Sequence, residues 1–239
     1  MGRQNLSVDE ASLVPSETIT AQIVEQLRTD ILSGELAPGS KLKIGDLCSR
    51  YGTGSSPVRE GLSLLVSDGL VERLHQRGFR VKPASLADFI ELLKTREWLE
   101  ERALRESISH GDVHWEESVV LAHHRLCREP RWLNGSARIS NPQWERHHKT
   151  FHLRLVQASG SSIMSRYCEQ LYDQNIRYRQ LAVAGTPKHR LVSSEHAALC
   201  AAAVQRDADR AVELLLGHYR ETGRILSAQL EDMEQSDRH

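Results

Sequence analysis

Past Pro83 the strand signals vanish, and this constrains the chain more than any other feature. From Ser85 to Met233 the apolar residues return at the three-and-four spacing of an amphipathic helix. Helices are predicted over 85–109, 113–129, 143–160, 162–185, 187–207 and 207–233. Ser85 with Asp88 three residues on has capping-box spacing, Gly160 closes the third helix and Asp207 caps the sixth. Short connections between six helices imply an antiparallel bundle.

The first eighty residues read differently. Ile19, Ile23, Leu27 and Ile31 recur every four residues until Gly34 and Pro38 stop a helix. "SKLK" is long enough for one short strand, and 44–52 for a two-turn helix ended by Gly52. The next helix, 53–69, has Ser55 or Ser56 as its cap and Pro57 in its first turn. Residues 70–83 alternate as a hairpin around the tip His75-Gln76-Arg77-Gly78. Two short helices and a basic hairpin make a winged helix-turn-helix. The fold class is therefore mainly α, a winged helix-turn-helix followed by an all-α six-helix bundle. The boundaries are a flexible leader at 1–16, the winged domain at 17–83, the helical domain at 84–233 and a tail at 234–239.

Charge follows the same division. From Lys41 to Lys82, eight Lys/Arg face four acids, +4 in a chain of net −1, so the remainder carries −5. A basic module attached to an acidic one suits a nucleic-acid reader joined to something else. The second helix of the pair would enter a major groove by its N-terminal end, with Ser55, Ser56 and Arg59 outward and Val58 and Leu62 inward. Arg77 at the wing tip would reach phosphate or the minor groove, and Arg50 is a further DNA-binding candidate. The N-terminal stretch has no apolar core to serve as a signal peptide, and no apolar run is long enough to cross a bilayer. Cys48, Cys127, Cys168 and Cys200 form no CxxC and read as reduced thiols of a cytoplasmic protein.

The stretch "ILSGELAPGSKLKIGDLCSRYGTGSSPVREGLSLLVSDGLVERLHQRGFRV" resembles the N-terminal domain of GntR-type bacterial transcription regulators. The carriers are the glycine-proline-glycine turn, "PVREGL" where the family has "PVREAL", "GLV" and "RGFRV". The resemblance covers residues 18–83 and implies DNA contacts from Ser55, Ser56, Arg59, Arg77 and Gly78. Ser55 stands where many members carry arginine, and Gly61 where alanine is usual, at some expense in helix propensity.

"WERHHKTFH" (144–152) holds three of the chain's 12 histidines. On a helix, His148 and His152 share a face with Leu155 and Val156, and His147 is turned about 100° away. His196 lies with Val192, Leu199, Cys200 and Ala203; His218 lies with Ala211, Leu214 and Leu215. Three helices thus aim four imidazoles inward. Burying them without partners is costly, and a shared metal satisfies them together.

This half looks like the FCD sensor domain of the FadR-like GntR branch, through "TFHLRLVQASG" and the four histidines. That resemblance implies a divalent metal on His148, His152, His196 and His218, with His148 standing where most members place aspartate. A neutral ligand there favours zinc, with nickel as the alternative, and Glu145 is a candidate supporting carboxylate. The resemblance also places Arg96 in the ligand cavity, with Arg177 and Tyr178 as further effector-binding candidates. Taken together the halves look most like the CsiR-like regulators of short dicarboxylate catabolism. The implied protein is a homodimeric repressor, released from a palindromic operator by a small carboxylate such as glutarate. Two alternatives stand beside it: a regulator for which the metal is the signal, and a metal-dependent hydrolase. Against the hydrolase, there is no HExxH and no candidate base near the ligands except Glu145.

Overall fold

A computed structural model describes residues 16–75, 77–133, 140–181 and 192–236. The expected leader up to residue 15, the hairpin-tip Gln76, the start of the 187–207 helix and residues 237–239 of the tail lie outside the described residues. The described chain runs α1 (Ser16–Ser33), β1 (Lys41–Leu42), α2 (Ile44–Tyr51), α3 (Ser55–Ser67), β2 (Val71–Leu74) and β3 (Gly78–Val81). It continues through α4 (Leu86–His110), α5 (Val113–Arg128), α6 (Pro142–Val156), α7 (Ser162–Leu181), α8 (Val192–Val204) and α9 (Ala208–Ser236).

The first six elements form the expected winged helix. The antiparallel sheet has the order β1-β3-β2, with Lys41 opposite Arg80 and Val71 opposite Val81. Ile23, Leu27 and Ile31 of α1 pack on Val58, Leu62 and Leu65 of α3, closed below by Leu70, Phe79 and Val81. Leu27, Leu62 and Leu65 are fully buried, and each such side chain contributes about 1.5–3 kcal/mol. Gly52, at φ 62, ends α2 in the left-handed conformation and donates its N–H to Cys48 O.

The start of α3 departs from expectation. Neither Ser55 nor Ser56 caps it; Gly54, in extended backbone, is the N-cap and no side chain bonds the first turn. Ser56 Oγ instead donates to Glu60 Oε1 at 3.2 Å. No cap therefore competes for the N–H groups at the tip of this helix.

Behind the wing, caps set the bundle. Ser85 accepts from Asp88 N at 3.1 Å, Asp112 from Trp115 N at 2.9 Å, and Asp207 from Arg210 N at 3.0 Å. α6 stops at Val156, earlier than the expected Gly160, which sits at φ 73 in the turn to α7. α9 continues to Ser236, past the expected end at Met233. α4 lies along α9 and α7, and α5 along α6 and α8. Leu104, Val119, Phe151, Leu155, Leu199, Ala203 and Leu215 fill the space between them. Among the described residues no helix is long and apolar enough to cross a membrane.

The two halves meet through α7. Arg28 of α1 binds Asp68, just past α3, at 2.5 Å and Asp173 of α7 at 3.0 Å. Gln170 and Gln174 of α7 donate to Asp68 Oδ1 and Asp68 O, each at 3.0 Å.

Gly61 has a packing role that helix propensity does not reveal. It is buried under α1, where a Cβ would lie 3.3 Å from Leu27 Cδ1 and 3.5 Å from Ile23 Cγ2. Gly61→Val would force α1 off α3, and urea unfolding should show a loss of about 1–3 kcal/mol. An unchanged midpoint would contradict this packing.

Candidate functional site

The four histidines expected to converge do so. His148 and His152 come from α6, His196 from α8 and His218 from α9; all four are buried, and one ring nitrogen of each lies within 4.8 Å of the others. His148 Nε2 is 3.2 Å from His152 Nε2 and 3.2 Å from His196 Nε2. Two nitrogens bound tetrahedrally to one zinc stand roughly 3.3 Å apart, and nitrogens gathered within 4.8 Å of one another can close on one divalent ion. Burial holds His148, His152 and His196 well below the ordinary imidazole range, helped at His148 by Arg179 and at His152 and His196 by His218. Neutral imidazole is the ligating form. His147 stays outside the cluster, 3.3 Å from Gln143 Nε2.

The outer nitrogens of three of these rings have defined neighbours. His218 Nδ1 is 2.6 Å from Glu195 Oε2. His152 Nδ1 is 3.2 Å from Tyr219 OH, which itself donates to Glu100 Oε2. His148 Nδ1 faces Tyr172 OH at 2.5 Å and Arg179 Nη1 at 3.0 Å.

His148, His152 and His218 line one side of a cavity of about 50 Å³. Leu93, Val192, Ile225 and Leu226 supply apolar wall; Arg96, Tyr172, Asn175 and Arg179 supply polar groups. Arg96 is 3% exposed, and its Nε donates to Glu100 Oε1 at 2.8 Å. Its guanidinium lies 4.3 Å from the Tyr219 ring centre. Its Nη2 is buried with no hydrogen-bond partner. Leaving such a donor unmatched costs about 1–3 kcal/mol or more, which a carboxylate in the cavity would recover.

Arg177 and Tyr178 do not line this cavity. Arg177 reaches Pro83 O at 3.4 Å at the domain junction, and Tyr178 packs on Phe89, ring centres 4.9 Å apart. The reason is helical phase. Tyr172 and Arg179 are seven apart and share a face within about 20°, whereas Arg177 and Tyr178 are turned from Tyr172 by about 140° and 120° in opposite senses. Arg179 is the arginine of α7 that enters the site. Projecting α7 from Tyr172 would have found it. Its Nη2 holds both oxygens of Glu145, at 2.7 and 2.5 Å. Glu145 therefore reaches His148 only through Arg179, and as the one candidate base it is already committed to a guanidinium.

The expected DNA-reading residues divide similarly. Ser55, Ser56 and Arg59 are exposed along the start of α3, and Arg77 and Gly78 are exposed at the wing tip. Gly78 takes φ 90, and Arg77 N–H donates to Leu74 O at 3.0 Å, which makes the turn tight. Arg50 is drawn back onto α1: its Nε meets Asp30 Oδ2 at 2.9 Å, and Tyr51 OH donates to the same oxygen at 2.7 Å. It braces α2 more than it offers a free cation.

Comparison with known proteins agrees with both halves. Residues 19–81 match the bacterial regulatory proteins of the gntR family, and residues 91–221 match the FCD domain. The chain is 43% identical over 216 residues to the uncharacterized HTH-type transcriptional regulator BphR of Paraburkholderia xenovorans (strain LB400), covering 89% of this chain and 88% of that protein. It is 32% identical over 200 residues to the HTH-type transcriptional repressor GlaR of Escherichia coli (strain K12), covering 80% and 88%. Among solved structures, E. coli McbR/YncC shares the fold with a TM-score of 0.73 at 20% identity, covering 88% of this chain and 98% of that one.

The buried neutral histidines carry a pH signature. The folded pKa values of His148, His152 and His196 lie below the unfolded value of about 6.5, so beneath it the unfolded chain binds more protons and stability falls as pH falls. Their stabilising contribution is full above about pH 6.5 and is lost as pH drops through the folded values. Metal-stripped protein should therefore melt at a lower temperature at about pH 5 than at about pH 7.5. An equal or higher melting temperature at the acid end would contradict the buried neutral cluster.

Proposed function

The chain belongs to the GntR family of bacterial regulatory proteins, with an FCD domain behind its winged helix, and from that premise we propose a DNA-binding repressor that a small carboxylate releases from its operator. The chain is a DNA-binding transcriptional regulator, and its relatives are regulators rather than enzymes.

The observation that carries the ligand reading is Arg96 Nη2. A buried cationic donor without a partner belongs to a residue that lines the same cavity as three of the four clustered histidines, His148, His152 and His218. That pairing suits an anion held at one end by a guanidinium and at the other by the histidine site. The all-nitrogen donor set favours zinc, with nickel as the alternative, over magnesium or calcium. Zinc on these rings would supply an electrophilic face for a carboxylate oxygen. A short dicarboxylate such as glutarate fits the charge pattern, since Arg96 and Arg179 both border the cavity. The 32% identity to a repressor supports the sign of regulation.

α7 carries the message. Tyr172, Asn175 and Arg179 on one face border the cavity, while Gln170, Asp173 and Gln174 hold Arg28 and Asp68 at the end of the recognition helix. A ligand that prefers one setting of α7 would prefer one setting of α3, which is the differential affinity that allostery requires. Two winged helices in a homodimer would then fit or miss the half-sites of a palindrome. The exposed basic residues make that binding strongly salt-dependent.

Operator complex titrated with zinc, then with glutarate and its homologues, tests this directly. Release by a dicarboxylate with zinc retained is the expected outcome. Release or capture by zinc alone would make the metal the signal, and no response to either would contradict the reading. Separately, Arg59→Ala should weaken operator binding by roughly 10–100-fold, the value of a good base contact, without changing the melting of the helical domain. Undiminished binding would remove Arg59 from the recognition surface.

A further inference from the structure

We propose that His148 is not a metal ligand but a hydrogen-bond donor aimed into the metal site, held in that role by Arg179. The inference rests on the metal reading above and assigns its fourth histidine a different task.

It follows from where the protons must lie. A neutral imidazole carries one proton. A ring that ligates through Nε2 must carry it on Nδ1, and so needs an acceptor there. His218 has one, because Glu195 Oε2 stands 2.6 Å from its Nδ1. His152 has one as well: Tyr219 gives its own proton to Glu100, leaving its oxygen to accept from His152 Nδ1 at 3.2 Å. Both rings turn an Nε2 lone pair toward the centre.

His148 is opposite in polarity. Its Nδ1 meets Arg179 Nη1 at 3.0 Å, and a guanidinium can only donate. Tyr172 OH, 2.5 Å from the same nitrogen, can donate too. Nδ1 is therefore the acceptor, and the proton sits on Nε2, pointing between His152 Nε2 and His196 Nε2 at 3.2 Å each. A protonated nitrogen has no lone pair for a metal. Shifting the proton would set Nδ1–H against Arg179, which both oxygens of Glu145 hold in place.

A metal would then be held by His152, His196 and His218, whose ring nitrogens lie within 4.8 Å of one another, and an exogenous oxygen could complete its coordination. His148 and Arg96 both border the cavity, so His148 Nε2–H and Arg96 Nη2 are two donors open to a bound group. With the Glu145 carboxylate taken up by Arg179, these two donors favour an oxyanion, such as a carboxylate, over an alcohol or amine of the same shape.

The test uses full-length protein and zinc alone, titrated against a competing chelator. Wild type is compared with His148→Gln, His148→Ala and His196→Gln. Glutamine keeps an N–H donor near the Nε2 position and offers no ligating nitrogen. Both His148 variants should hold zinc within about tenfold of wild type, the low end of the roughly 10–100-fold that a neighbouring-group change costs. His196→Gln should lose roughly a hundredfold or more. The visible absorption of cobalt-loaded His148→Gln should superimpose on that of cobalt-loaded wild type. If folded His148 variants lose zinc as His196→Gln does, or the cobalt spectrum changes, His148 is a ligand and the proposal is overturned. A wild type that takes up no zinc would overturn the metal reading with it, so the two failures are distinguishable.

Discussion

A carboxylate withdrawn from water ties the two halves of this protein together. Asp173 is 1% exposed, and an unpaired charge at that depth would cost several kcal/mol. Arg28 from the winged domain meets one oxygen at 3.0 Å. Lys149 Nζ stands 2.7 Å from the other, as an ion pair rather than an aligned hydrogen bond. Burial still raises the Asp173 pKa, with Lys149 and Arg28 opposing it. The acid is thus satisfied only while α1, α6 and α7 keep their places. Arg28 in turn reaches Asp68 at the end of the recognition helix, and Lys149 follows His148 in sequence. Three ion pairs, Lys149–Asp173, Asp173–Arg28 and Arg28–Asp68, span the distance from the histidine cluster to the DNA-reading helix.

The site repeats this use of alternating charge. Glu145, Arg179 and His148 form one line, and Glu195 with His218 another. The first presents a donor to the cavity centre and the second a lone pair. One amino-acid type therefore supplies both polarities, and the outer partner of each ring decides which.

Much of this was legible in the sequence because it depends on periodicity. Apolar spacing located the helices, and the inward phase of His148, His152, His196 and His218 followed from the same repeat. Features that depend on contacts between elements were not legible. The cap of α3 fell to Gly54 because Ser56 turned to Glu60. Gly61 looked like a small expense in helix propensity until α1 was found lying on it. Arg179 was not legible because the face of α7 toward the cavity is fixed by Tyr172, whose role only the folded chain shows. Arg50 looked free because Asp30 is 20 residues away in the chain.

In the proposed mechanism, occupancy of the cavity reaches the recognition helix through Arg28. Lysine at this position keeps the charge but cannot bridge Asp68 and Asp173 as a guanidinium does. The decisive measurement is operator affinity of zinc-loaded protein with and without the carboxylate that releases wild type, compared between wild type and Arg28→Lys. The variant should still bind operator, zinc and carboxylate, but the ratio of the two operator affinities should fall toward one. A ratio equal to that of wild type would contradict coupling through Arg28.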